Sequence, residues 1–160
     1  MKKYIFILFM FLGLILNAQS AKSEKINWLT DFDKAQKIAK KEHKPMLLLF
    51  TGSDWCHYCI AMKRELFKDK RFIDLSKKFV LVYVDFPRRK PMSDTQRRNN
   101  YMLAQKFHHG GIPAMVFLST DAMILYKSLG YMRGKPEEKL KIMEKVLKLV
   151  KDYDKQLLKN

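Results

Sequence analysis

Two uninterrupted apolar runs stand out along the chain, Met46-Leu47-Leu48-Leu49-Phe50 and Ala114-Met115-Val116-Phe117-Leu118. Short runs without alternation predict strands buried on both faces. Val80-Leu81-Val82-Tyr83-Val84 predicts a third strand of the same kind. From Asn27 to His43, Trp28, Phe32, Ala35 and Ile38-Ala39 recur at helical spacing, with Thr30 or Asp31 as N-cap and Pro45 as the stop. Thr51-Gly52-Ser53-Asp54 interrupts the first apolar run, and a helix is predicted from around Cys56, burying Ile60, Leu66 and Phe67. Phe72, Leu75 and Phe79 predict a short helical stretch before the next strand.

Further on, Pro87 to Asn100 is polar and rich in arginine, a surface loop running into a helix. Ser93-Asp94-Thr95-Gln96 can close a capping box, and Tyr101, Ala104 and Phe107 continue that helix to a stop at Gly110-Gly111. After the strand that ends at Leu118, Ser119-Thr120-Asp121 makes a turn and Met123 to Leu129 returns as a hairpin partner, broken by Gly130. Lys135 to Lys159 is an amphipathic helix with Leu140, Met143, Leu147 and Val150 on one stripe. The order is helix, strand, helix, strand, helix, strand, strand, helix, without repeats, low-complexity tracts or internal linkers. It predicts an α/β fold: a small mixed sheet flanked by helices on both faces, closed by a C-terminal amphipathic helix.

The N-terminus carries a different pattern. Lys2 and Lys3 precede an uncharged apolar run from Tyr4 to Leu16, and small residues at Ala18 and Ser20 are placed for cleavage after Ser20. The run is short of the about 20 residues a membrane span needs. Residues 1–20 are therefore expected to be a signal peptide and 21–160 a single domain, exported to the periplasm; an uncleaved membrane anchor is the alternative. No cysteine lies near the cleavage region, which argues against a lipid-anchored protein.

Composition narrows the function classes. Hydrophobic residues at 48% and charged residues at 30% exclude a predominantly disordered chain. Lys and Arg outnumber Asp and Glu by 32 to 16, a formal charge of +16. That charge reads either as a lysine-rich solvated surface or as an attraction to anionic membranes, nucleic acid or acidic proteins. The export signal argues against nucleic acid.

Both cysteines lie in Cys56-His57-Tyr58-Cys59. A disulfide there closes a tiny loop and staples nothing distant, so chemistry explains the pair better than stability does. At a helix N-terminus, unpaired N–H groups and the helix dipole favour the thiolate of Cys56, and three-residue spacing brings Cys59 within bonding reach. Cys56 would attack a substrate disulfide and Cys59 would resolve the mixed disulfide. His57 either helps stabilise the thiolate or is a plain exposed residue. Trp55 and Tyr58 read as an apolar rim for a substrate backbone, Trp55 alternatively as packing beside the turn. Gly111-Ile112-Pro113, between a helix and a strand, is a candidate cis-proline turn, with an ordinary trans proline as the alternative. Were it to lie opposite Cys56, the Ile112 backbone would be free to pair with an extended substrate.

No metal or cofactor is expected. A zinc site needs two ligands beyond the cysteines, His108-His109 lies far off in sequence, and His43 reads as a surface residue. A soft-metal chaperone using both thiolates is the rival from another class, but no M-x-x-M cluster lies near them.

Trp55-Cys56-x-x-Cys59 after an apolar strand, with Gly111-Ile112-Pro113 before the hairpin, resembles the thioredoxin superfamily over roughly Trp28 to Val150. His43-Lys44-Pro45, Phe50-Thr51-Gly52-Ser53-Asp54-Trp55-Cys56 and Val84-Asp85-Phe86-Pro87 resemble the exported DsbH-type members. The resemblance implies a thioredoxin-like fold, Cys56 as nucleophile, Cys59 as resolving thiol and Pro113 as the cis-proline. It further implies a reductant of protein disulfides outside the cytoplasm, with exported disulfide-bearing proteins as substrates and a membrane protein as electron donor. Two departures stand out. The strand Met46 to Phe50 lacks the buried carboxylate that many thioredoxins use for proton transfer, leaving Asp54 or water as substitutes. His57-Tyr58 also replaces the usual Gly-Pro, which leaves the direction of electron flow open between reductase, oxidase and isomerase. No fused dimerisation domain is visible, as a dedicated isomerase often has, and a monomer is expected.

Overall fold

The structure, a computed structural model, describes residues 25–108 and 110–157. The expected signal segment 1–20 and His109 lie outside them. The sheet has five strands: β1 (Trp28–Leu29), β2 (Met46–Thr51), β3 (Val80–Asp85), β4 (Ala114–Leu118) and β5 (Ile124–Leu129), in the order β1-β3-β2-β4-β5. The β1–β3 and β3–β2 pairs are parallel, and β2–β4 and β4–β5 are antiparallel. The helices are α1 (Phe32–Glu42), α2 (His57–Glu65), α3 (Lys70–Ser76), α4 (Asp94–Phe107) and α5 (Glu137–Leu157).

The continuous apolar runs are central because both of their faces are covered. Along β2 the side chains alternate between two cores. Leu47 and Leu49 pack with Met62, Leu66 and Phe72 of the α2–α3 region and with Met143 and Val146 of α5. Met46, Leu48 and Phe50 pack on the other face with Ala35 and Ala39 of α1 and Leu103 and Phe107 of α4. All six β2 residues are buried. The expected α/β architecture, a mixed sheet with helices on both faces and a terminal amphipathic helix, is the one observed.

Local signals set the helix starts. Asp31 caps α1 by accepting from the Lys34 N–H, a contact worth about 1 kcal/mol. Ser93 caps α4 by accepting from the Gln96 N–H. Trp28, which shares the helical spacing, lies ahead of the Asp31 cap in an edge strand, paired with Leu81 and packed against Phe67 (tilted) and Tyr83 (edge-on). Its spacing to Phe32 fits a helix, but the long-range pairing with β3 decides its conformation.

The consequence for the site is positional. β2 and β3 run in parallel and end together, Thr51 beside Asp85. The chain leaves β2 through Gly52-Ser53-Asp54-Trp55 and enters α2 at that end of the sheet, and β4 begins antiparallel to β2 with Ala114 opposite Phe50. The residues preceding Ala114 are thereby brought beside the start of α2.

Candidate active site

Cys56 is the N-cap of α2, in extended backbone conformation, and its Sγ accepts from the Cys59 N–H at 3.3 Å. The two cysteines form a disulfide, with their Cα atoms 5.2 Å apart. Both are largely buried, Cys56 7% exposed and Cys59 4%. Cys59 Sγ in turn accepts from the Gly52 N–H at 3.5 Å. Each sulfur thus faces a backbone N–H, and any negative charge on Cys56 sits where the orphan N–H groups of α2 converge.

Facing Cys56, the Ile112 carbonyl lies 3.8 Å from its Sγ, and the Ile112–Pro113 peptide bond is cis. The loop is held from behind by His108, the residue that ends α4. The buried His108 ring sits 4.8 Å from the Phe50 ring, and its Nε2 is 3.0 Å from the Gly111 carbonyl oxygen. In the sequence His108 belongs to no metal-ligand pattern, and nothing local signals this buttress.

Ile112 and Pro113 open onto a cleft of about 660 Å³ that Tyr58 also lines. Tyr58 is 57% exposed, and across the cleft lie Leu129, Gly130 and Met132. The Gly130–Gly134 turn is pinned from two helices. Glu65, at the far end of α2, accepts from the Tyr131 hydroxyl at 2.9 Å and from the Gly134 N–H at 2.7 Å. These two hydrogen bonds hold the Glu65 carboxyl below its ordinary range. Burial, then the bond to Glu65, raises the Tyr131 phenol. From α5 the buried Lys139 ammonium donates to Ser128 Oγ at 2.6 Å and to the Leu129 carbonyl at 3.3 Å.

Trp55 does not join Tyr58 in one rim. Its indole Nε1 donates to the Phe86 carbonyl at 2.7 Å, and the Arg88 guanidinium lies over its ring, 3.7 Å from the centroid. It lines a second cleft, bordered by Phe86, Arg88 and Tyr101. The turn leading into α2 needs glycine at 52: a Cβ there would lie 2.6 Å from the Trp55 ring. His57 is exposed on the first turn of α2.

Asp54 and Asp85 tie the cysteine turn to the end of β3. Ser53 donates to Asp85 through its N–H at 2.9 Å and its hydroxyl at 2.6 Å. Asp54 accepts the N–H groups of Arg88, Arg89 and Lys90 at 3.0, 2.7 and 2.9 Å. Those donors, Arg88 foremost, hold its carboxyl at about 2, so it is ionised at any working pH and ill suited to deliver a proton to Cys59. The expectation that Asp54 substitutes for the missing buried carboxylate is therefore corrected: its charge serves the loop. Close by, burial and then the Asp85 charge push the Tyr83 phenol up to about 12, which keeps it neutral.

A sulfur pair at a helix N-terminus, a cis-proline turn touching the leading sulfur and an open cleft alongside are the parts needed for reversible disulfide exchange. Residues 32–147 match the thioredoxin-like domain family. The chain belongs to that family. It is 31% identical over 111 residues to the thioredoxin-related protein DsbJ of Chlamydia pneumoniae, covering 69% of this chain and 32% of DsbJ. It is 32% identical over 104 residues to the disulfide bond reductase DsbH of Chlamydia pneumoniae, covering 64% of this chain and 62% of that protein. A solved structure of a DsbH oxidoreductase superposes with a TM-score of 0.71 at 26% identity, over 84% of this chain and 93% of the other. The match thus spans about a third of DsbJ and somewhat under two thirds of the DsbH relative, and within its family the chain is DsbH-like.

Proposed function

We propose that this chain is a thiol–disulfide oxidoreductase that reduces protein disulfides outside the cytoplasm, with residues 1–20 as its export signal and 21–160 as one functional domain. In the reduced protein, Cys56 leaves its proton to solvent and attacks one sulfur of a substrate disulfide. The substrate S–S bond breaks, a Cys56–substrate mixed disulfide forms, and the departing substrate thiolate takes up a proton. Cys59 then loses its proton and attacks Cys56 Sγ, releasing the second substrate thiol and forming the Cys56–Cys59 disulfide. Two electrons pass from the cysteine pair to the substrate, and a membrane-bound dithiol donor restores the pair by the same exchange in reverse.

The observation that carries this reading is the placement of Cys56 Sγ at the α2 N-terminus, 3.8 Å from the Ile112 carbonyl and beside an open cleft. Backbone N–H groups favour the Cys56 thiolate. Ile112 and Pro113 form the wall along which an extended substrate segment pairs, Tyr58 gives that segment an apolar surface, and His57 adjusts the balance between thiolate and disulfide. DsbH is by name a disulfide bond reductase, which supports the direction of electron flow.

Turnover of a protein disulfide substrate in the presence of a dithiol donor tests the reading. Cys56→Ser should abolish reduction, and Cys59→Ser should accumulate a covalent adduct through Cys56. Reduction at an undiminished rate by Cys56→Ser, or an adduct attached to Cys59 in the native protein, would overturn it.

A further inference from the structure

The second cleft, about 370 Å³ in volume, runs from Trp55 past Phe86 to the early turns of α4. Its charged lining is three cations, Arg88, Lys90 and Arg97, and one carboxylate, Asp85, around Trp55, Phe86 and Tyr101. Phe86 and Tyr101 pack with ring centroids 5.4 Å apart, and Tyr101 remains 55% exposed. Asp85 in the lining and Asp54 beside it are each turned toward hydrogen-bond donors of the loop. Asp85 is held by Ser53, and Asp54 by the backbone N–H groups of Arg88, Arg89 and Lys90. Among the described residues no carboxylate forms an ion pair with Arg88, Lys90 or Arg97.

Asp54 therefore acts as an organiser. It fixes three successive backbone N–H groups, so the Arg88–Lys90 segment is held against Trp55 with its cationic side chains exposed. The result is an excess of positive charge on an aromatic surface, one residue from the leading cysteine: Arg88, Arg89, Lys90 and Arg97 outnumber the two carboxylates, Asp54 and Asp85. Solvated lysines spread over a helix face have no such arrangement.

We propose that this cleft docks an acidic segment of the polypeptide whose disulfide is exchanged, its carboxylates pairing with Arg88 and Arg97 and its aliphatic stems lying on Trp55 and Tyr101. The inference builds on the exchange reading, because a chain entering the cleft beside Trp55 is the one presenting its sulfur to Cys56. A polypeptide fits better than a lipid surface or a nucleic acid, since the charges line a small concavity.

The test uses disulfide peptides identical except for flanking residues that are acidic, neutral or basic. The acidic peptide should be reduced with kcat/KM about tenfold above the neutral one at low ionic strength, the preference collapsing in 0.5 M NaCl. In the double variant Arg88→Glu with Arg97→Glu, the acidic-to-neutral ratio should fall below one. Equal kcat/KM for all three peptides would overturn the proposal. A calorimetric titration of the oxidised protein with the acidic peptide, its cysteines replaced by serine, decides docking even where no peptide is reduced. Saturable binding lost in the double variant supports docking, and absent binding overturns it. An oligonucleotide or a phosphatidylserine vesicle that binds more tightly than the peptide, and loses binding in the same variant, would overturn the assignment to a polypeptide. Loss of all reduction with docking intact would count against the exchange reading alone.

Discussion

Gly52 and Trp55 are matched to each other: an added Cβ at Gly52 would lie 2.6 Å from the Trp55 indole, closer than carbon atoms pack. The same glycine donates its N–H to Cys59 Sγ. One small residue thus lets the indole fold back over the turn while its backbone reaches the resolving sulfur. Gly52→Ala is expected to displace the indole, break its bond to the Phe86 carbonyl and destabilise the protein by about 1–3 kcal/mol. Denaturant unfolding measures the loss, and a red-shifted Trp55 emission reports the displaced ring.

The Asp54 carboxyl predicts a specific pH response. Its folded value of about 2 lies below its ordinary 3.8, so its contribution is fully present above the unfolded value and is lost as pH falls through the folded one. Asp54→Asn should therefore lower Tm near neutral pH and approach the parent protein's Tm as pH falls from about 4 toward 2. Thermal melts across that window test it. A constant difference in Tm over the whole range would mean that the charge is not what holds the Arg88–Lys90 segment.

His108 is a positioning residue for the Gly111–Pro113 turn. His108→Ala removes its contact with the Gly111 carbonyl and its packing on Phe50. The expected outcome is a several-fold rise in KM for a protein disulfide, with the reduction potential of the cysteine pair unchanged. A merely structural role would lower Tm and leave KM alone.

Lys139 fixes the opposite wall of the Tyr58 cleft. Lys139→Met keeps the aliphatic stem but deprives Ser128 Oγ and the Leu129 carbonyl of a shared donor. A loss of about 1–3 kcal/mol is expected in chemical denaturation, because Ser128 is too buried to turn to water instead. Faster hydrogen exchange at Gly130 and Gly134 should accompany it.

What could be read from the sequence was whatever rests on local pattern. The apolar runs at Met46–Phe50 and Ala114–Leu118 are strands because burial on both faces leaves no polar positions, and Ser93 to Gln96 announces its own cap. The two cysteines could be placed at the start of a helix for a similar reason, since a turn of Gly, Ser and Asp follows a strand and precedes helical spacing. The strand at Trp28 is not legible in the sequence, because an edge strand two residues long has no periodicity and its partner Leu81 lies far along the chain. The polar supports of the site were invisible for the same reason. Asp54 meets Arg88 to Lys90, Ser53 meets Asp85, and Glu65 meets Tyr131 and Gly134 across more than thirty residues of chain. The division of Trp55 and Tyr58 between two clefts likewise follows from where the indole N–H finds its acceptor.

Whether Cys56 and Cys59 form a reducing couple is decided by their reduction potential. The protein is equilibrated in dithiothreitol or glutathione buffers of known poise, and the Cys56–Cys59 disulfide is quantified by thiol trapping. A reversible two-electron couple near the thioredoxin end of the scale, about −270 mV, is expected. A value near the strongly oxidising end, about −120 mV, or no reversible disulfide between the two cysteines, would contradict it.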